Sequence, residues 1–84
     1  MKSLNIVAIG LGKQSTEDHL PAIRESSMFN LLAVTDSDNA KVKIVSKEYS
    51  VPGYSNIDDL IERWGERTDV AIIAVPHTQY LSII

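Results

Sequence analysis

Three unbroken apolar runs constrain the fold of this 84-residue chain more than any other feature of it. Ile6-Val7-Ala8-Ile9 closes on Gly10, Leu31-Leu32-Ala33-Val34-Thr35 on Asp36, and Val70-Ala71-Ile72-Ile73-Ala74-Val75 on Pro76. None alternates apolar with polar residues as a strand with one wet face does. Each therefore reads as a strand covered on both faces in a parallel sheet. Parallel neighbours need long crossovers, and the segments between the runs have helical character.

Ser15 to Ser27 carries Leu20, Ile23 and Ser27 at helical spacing, with Thr16 or Asp18 as cap and Pro21 either in the first turn or at a kink. Asp38 to Tyr49 places Ala40, Ile44, Val45 and Tyr49 on one helical stripe, although Val42-Lys43-Ile44-Val45 alone also suits a strand. Val51-Pro52-Gly53-Tyr54 reads as a short loop or edge strand. Asn56 and Asp59 form a capping pair ahead of Ile57, Leu60, Ile61 and Trp64, and Gly65 ends that helix. Thr78 to Ile84 looks like the opening of a further helix. The alternation implies an α/β fold: three αβα layers around a parallel sheet of about four strands, joined by right-handed crossovers.

Composition narrows the function. The net charge of −3 arises between Asp36 and Asp69, where 5 basic residues face 8 acidic ones, so there is no basic footprint for nucleic acid. No Lys-rich amphipathic helix suggests binding at a membrane surface, and no apolar run approaches the roughly 18 residues of a membrane span. With no cysteine and only His19 and His77, thiol chemistry is excluded and a protein-built metal site is not expected. The amino terminus lacks the pattern of a signal peptide, so the expected location is the cytoplasm.

Chemistry concentrates in Gly10-Leu11-Gly12-Lys13-Gln14-Ser15, between the first strand and the first helix. Glycines there let the backbone turn sharply and approach a pyrophosphate without a Cβ in the way, and free N–H groups at a helix start favour an anion. Asp36, 26 residues after Gly10, ends the second strand where a carboxylate accepts hydrogen bonds from the ribose hydroxyls of a dinucleotide. The same charge repels a 2′-phosphate, which favours NAD over NADP, while Lys13 suits either cofactor. A tight strand-to-helix turn and a turn-forming aspartate are the structural alternatives. His77, past the carboxyl end of the last strand, is a candidate neighbour of the cofactor. His19, Phe29, Tyr49, Tyr54 and Trp64 read as packing residues, Asp18 as a cap, and Asp58, Asp59 and Glu62 as a solvated helix face.

Val7-Ala8-Ile9-Gly10-Leu11-Gly12, His19-Leu20-Pro21-Ala22-Ile23, Leu32-Ala33-Val34-Thr35-Asp36, Tyr49-Ser50-Val51-Pro52-Gly53-Tyr54 and Asp69-Val70-Ala71-Ile72-Ile73-Ala74-Val75-Pro76 occur in an order that resembles the amino-terminal domain of the Gfo/Idh/MocA oxidoreductases. The resemblance covers essentially the whole chain. It implies a Rossmann domain that binds NAD(P), with Gly10, Gly12, Lys13, Gln14 and Ser15 at the pyrophosphate, Asp36 at the ribose, and Val75, Pro76 and His77 near the cofactor. It also implies hydride transfer to or from a sugar, inositol or related alcohol.

Three departures accompany it. The interval from Gly12 to His19 is one residue longer than the family's spacing, which brings Ser15 or Thr16 toward the phosphates. Tyr80 stands where many members have histidine. The Glu-Lys-Pro motif and the second domain that complete the family's proton-transfer site do not occur in the sequence. Residues 1–84 are therefore expected to be a single, C-terminally truncated cofactor-binding domain that holds NAD(P) without catalysing turnover itself. The rival readings are a non-enzymatic nucleotide-binding module for regulation or assembly, and an inactive remnant that pairs with a second copy through its open sheet edge.

Overall fold

The computed structural model describes residues 3–12 and 15–73. Strand β1 (Leu4–Ile9) leads through the glycine loop to a π-helical turn, Ser15–His19, and helix α1 (Leu20–Glu25). Strand β2 (Phe29–Thr35), helix α2 (Asn39–Tyr49), strand β3 (Gly53–Tyr54), helix α3 (Ile57–Trp64), a 3₁₀ turn (Gly65–Arg67) and strand β4 (Val70–Ile73) follow. The strands form one parallel sheet in the order β3-β2-β1-β4. The expected parallel α/β architecture is present, with Gly53–Tyr54 as its edge strand. Ala74 and the expected helix opening at Thr78–Ile84 lie outside the described residues. Among the described residues no helix is long and apolar enough to cross a membrane.

Both faces of the sheet are covered, as the continuous apolar runs require. Ile6 and Ala8 of β1 pack with Leu20 and Ile23 of α1, Val34 of β2, and Val42 and Val45 of α2. Val7, the alternate residue, packs on the other face with Ala33 and Leu60 of α3. The pairing of β1 with β2 slips once, from Ile6 opposite Leu31 to Val7 opposite Ala33, leaving Leu32 as an extra residue. Leu32 and Ala33 consequently both serve the α3 face. Burial of a side chain as complete as Leu20 or Leu60 contributes roughly 1.5–3 kcal/mol.

Three helix expectations are corrected. In α2 the buried positions are Val42 and Val45, whereas Ile44 is 66 % exposed and Ala40 is also exposed. The chain enters the helix at Asp38, whose carboxylate accepts from the backbone N–H groups of Ala40 and Lys41, and that entry sets the phase of the stripe. In α3 the Asn56 cap holds, its Oδ1 accepting from Asp59 N at 2.9 Å, and the helix does end at Gly65, but through a right-handed passage into a 3₁₀ turn and not a left-handed stop. The left-handed helix stop is Ser50, at the end of α2, with φ 55°. In α1 neither Thr16 nor Asp18 serves as cap, because the preceding π turn carries the chain into the helix; Pro21 sits in its first turn. A π turn accommodates an extra residue, which matches the longer interval from Gly12 to His19.

The last strand is clasped at its entrance. Asn5 N donates to Asp69 Oδ2 at 2.8 Å, Asn5 Nδ2 to the Arg67 carbonyl at 2.9 Å, and Asp69 N to the Asn5 carbonyl at 2.8 Å.

Candidate functional site

The chain runs outward from β1 to β2 to β3 and then crosses back to place β4 on the other side of β1. The direction of winding thus reverses between β1 and β4, and in open parallel sheets ligands bind beyond the carboxyl ends of the strands at such a reversal. Gly10, Leu11 and Gly12 leave β1 at this point, while Asp36 leaves the neighbouring β2.

Gly10 has φ 93°, a region that side chains rarely adopt, and its N–H donates to the Thr35 carbonyl at 2.9 Å. Among the described residues, a Cβ built on Gly12 meets no atom within 4 Å. The Gly12 carbonyl accepts from both Thr16 N at 3.0 Å and Thr16 Oγ1 at 3.2 Å, tying the loop to the π turn. A strained glycine followed by one that no described residue crowds suits close approach by a bulky anion such as a pyrophosphate.

The structure brings Asp36 directly to this loop. Its Oδ2 accepts from Leu11 N at 2.6 Å, its Oδ1 from Asp38 N at 2.8 Å, and its own N–H donates to the Tyr54 carbonyl at 3.3 Å. Thr35, the buried residue before it, donates from Oγ1 to the same carbonyl at 2.7 Å. An ionised carboxylate offers about four acceptor positions, of which these contacts occupy two. The half-buried carboxylate therefore keeps capacity for hydroxyl donors.

Gly10, Gly12 and Asp36 are thus assembled into one structure. Ser15 opens the π turn, and Lys13, Gln14, Val75, Pro76 and His77 lie outside the described residues. Leu11, to which the sequence assigns no role of its own, is 1 % exposed and anchors the loop in the α1–α2 core while its N–H meets Asp36. An apolar residue held between two glycines was the available signal. The Tyr54 carbonyl left no sequence signal, being a backbone group delivered by the edge strand.

The residues read as packing groups do pack. Trp64 Nε1 donates to Tyr54 Oη at 2.9 Å on the α3 face, and Arg24 lies 3.9 Å from the centre of the Tyr49 ring on the other. Burial raises the Tyr49 pKa; the nearby Arg24 charge opposes that shift and Glu48 adds to it. His19 is half-buried between the π turn and α1, and its Nδ1 has no hydrogen-bond partner among the described residues. Asp58, Asp59 and Glu62 are exposed, with Asp59 accepting from Asn56 Nδ2 at 3.0 Å.

Residues 4–82 match the Gfo/Idh/MocA oxidoreductase family, described by its NAD-binding Rossmann fold. A candidate UDP-kanosamine synthase oxidoreductase subunit of Amycolatopsis mediterranei is 31 % identical over 75 residues, covering 89 % of this chain and 20 % of that protein. Among solved structures, the 3-ketoreductase KijD10 of Actinomadura kijaniata, in complex with NADP and TDP-benzene, superposes with a TM-score of 0.86 at 15 % identity. That match covers 98 % of this chain and 25 % of KijD10. The WlbA dehydrogenase of Chromobacterium violaceum, in complex with NADH and UDP-GlcNAcA, gives 0.78 at 20 % identity, covering 88 % of this chain and 21 % of that one. At these identities the structural matches establish the fold. The chain spans about a fifth to a quarter of the length of these relatives. With the family match across nearly its whole length, the chain belongs to the Gfo/Idh/MocA oxidoreductases, as a nucleotide-binding domain of the Rossmann type.

Proposed function

We propose that this chain holds the dinucleotide of an oxidoreductase that transfers hydride to or from a sugar carried on a nucleoside diphosphate. The observation behind this reading is the convergence of Gly10, Leu11, Gly12 and Asp36 at the reversal of the sheet, closed by the 2.6 Å bond from Leu11 N to Asp36. Gly10, Gly12, Lys13, Gln14 and Ser15 are assigned to the pyrophosphate, Asp36 to the adenosine ribose, and Val75, Pro76 and His77 to the vicinity of the cofactor. When bound, the dinucleotide supplies the hydride chemistry, while the protein fixes its position and electrostatics. The nucleotide-sugar assignment is supported by the name of the Amycolatopsis relative and by the ligands bound to KijD10 and WlbA.

NAD is the preferred cofactor, since the Asp36 carboxylate accepts from a 2′-hydroxyl and repels a 2′-phosphate. The chain acts as one domain of a larger cytoplasmic enzyme, and catalytic proton transfer is supplied from outside it. Among the described residues β4 pairs with β1 alone, and its other edge is where a further strand or a second copy would join the sheet.

Titration with NADH and NADPH, followed by Trp64 and nicotinamide fluorescence, tests the reading. Saturable binding with NADH preferred by about tenfold or more, the equivalent of one repelled charge, is expected. Absence of binding to either cofactor refutes the dinucleotide site, and an equal or stronger affinity for NADPH refutes the cofactor preference. An Asp36→Ala variant that binds NADH as well as the parent refutes the ribose assignment.

A further inference from the structure

We infer that Asp36 is also a positioning residue for the glycine loop, holding the backbone between Gly10 and Gly12 in place independently of any ribose bound to it. The inference deepens the dinucleotide reading above and rests on it. Glycines allow the sharp turn but supply no side chain to fix it, so the loop needs restraint from elsewhere. It is supplied by Gly10 N to the Thr35 carbonyl, by Leu11 N to Asp36 Oδ2, by the buried Leu11 side chain, and by the Gly12 carbonyl accepting from Thr16. Only the second carries formal charge, and hydrogen bonds to an ionised acceptor are shorter and about twice as strong as neutral ones.

Asp36 is itself held from two sides, by Asp38 N on Oδ1 and by its own N–H on the Tyr54 carbonyl. The carboxylate therefore works as a strut from the β2–β3 edge to the phosphate-facing loop. Leu11 N–H is committed to Asp36 and is not offered to a phosphate. Loss of the carboxylate should loosen the pyrophosphate site as well as remove the ribose contact. A residue that acted only through the ribose would instead leave ligands lacking ribose hydroxyls unaffected.

ADP and 2′,3′-dideoxy-ADP separate these cases, because the second keeps the pyrophosphate and lacks the hydroxyls. Affinities for the full chain are measured calorimetrically for the parent, Asp36→Ala and Asp36→Asn. The expected result is that Asp36→Ala weakens dideoxy-ADP binding by about tenfold, the lower range for a charge-assisted hydrogen bond, and ADP binding by more. Asn retains an oxygen able to accept from Leu11 N and recovers part of the loss for dideoxy-ADP. Unchanged dideoxy-ADP affinity in a folded Asp36→Ala chain overturns the inference.

A ligand-free readout stands beside it. In the parent, the Leu11 amide should be protected from hydrogen exchange, and that protection should fall in the alanine variant and return in part in the asparagine variant. A Leu11 amide that exchanges in the parent as fast as an unbonded amide overturns the strut even if neither variant folds. If the parent binds neither nucleotide, the dinucleotide reading fails, and the Leu11 amide still decides whether Asp36 restrains the loop.

Discussion

Replacing Gly53 with alanine should open the junction between β3 and α2, and the coordinates set the size of the effect. A Cβ on Gly53 falls 2.5 Å from Val42 Cγ1, 3.1 Å from Ser46 Cβ and 3.4 Å from Ser46 Oγ. Val42 is buried and β-branched, so it has little rotamer freedom with which to yield. The helix or the strand must move instead. Overpacking of this kind costs about 1–3 kcal/mol, and restricting the unfolded chain returns about 0.4–1 kcal/mol. A net loss of about 1–2 kcal/mol follows, or a fall in Tm of roughly 5–15 °C for a domain of this size.

Urea denaturation followed by far-ultraviolet circular dichroism measures the loss, and a double-mutant cycle with Val42→Ala assigns its cause. Val42→Ala alone costs about 1–3 kcal/mol through the cavity it leaves. In the double variant the two side chains no longer collide, so the combined loss should fall short of the sum by at least about 0.5 kcal/mol. Gly53→Ala with unchanged stability, or strict additivity in the cycle, would refute the steric argument. The site should respond too, because displacement of β3 moves the Tyr54 carbonyl that receives Asp36 N.

Four shorter predictions follow from other positions. Ser50→Gly should raise stability by up to about 1 kcal/mol in urea melts, since Ser50 holds φ 55° at the end of α2 where glycine avoids the Cβ penalty. Asn56→Ala should cost about 0.5–2 kcal/mol by removing the cap on Asp59 N, with the loss visible in the same melts. Leu11→Ala should cost about 2–5 kcal/mol and weaken NADH binding in fluorescence titration, because the side chain anchors the loop from within the core. The raised Tyr49 pKa means that the folded state releases that proton later than the unfolded one, so stability should fall as pH rises past 10; Tyr49→Phe should flatten that part of the denaturation profile.

The strands were legible because burial on both faces of a parallel sheet keeps the runs apolar, with Thr35 the one polar residue at their ends, and Val7 and Ala8 do serve opposite faces. Asn56 was legible as a cap because its partner lies three residues away. The inward face of α2 was not legible: Val42, Ile44 and Val45 are all apolar, and only the entry at Asp38 and the approach of Gly53 decide which of them turn inward. The extra residue at Leu32 was hidden for a related reason, since an apolar run looks the same in either register. For the candidate site, the residue types and positions of Gly10, Gly12 and Asp36 foretold that they come together at the ends of β1 and β2. The bond from Leu11 N to Asp36 could not, because a backbone amide has no identity in the sequence and its acceptor lies 25 residues away.

The Asn5 clasp bears on the order in which the molecule assembles. Asn5 meets Asp69 across 64 residues, whereas Leu11 meets Asp36 across 25. By the logarithmic growth of loop-closure entropy, the longer closure costs about 0.8 kcal/mol more. Pairing of β1 with β2 can therefore precede the seating of β4. Asp69→Ala, which removes the carboxylate that accepts from Asn5 N, should accordingly accelerate unfolding while leaving the folding rate nearly unchanged, and a comparable slowing of folding would place the clasp in the nucleus instead. On this account the glycine loop and its aspartate take shape before the sheet is complete, and the half of the molecule that carries them matures ahead of its last strand.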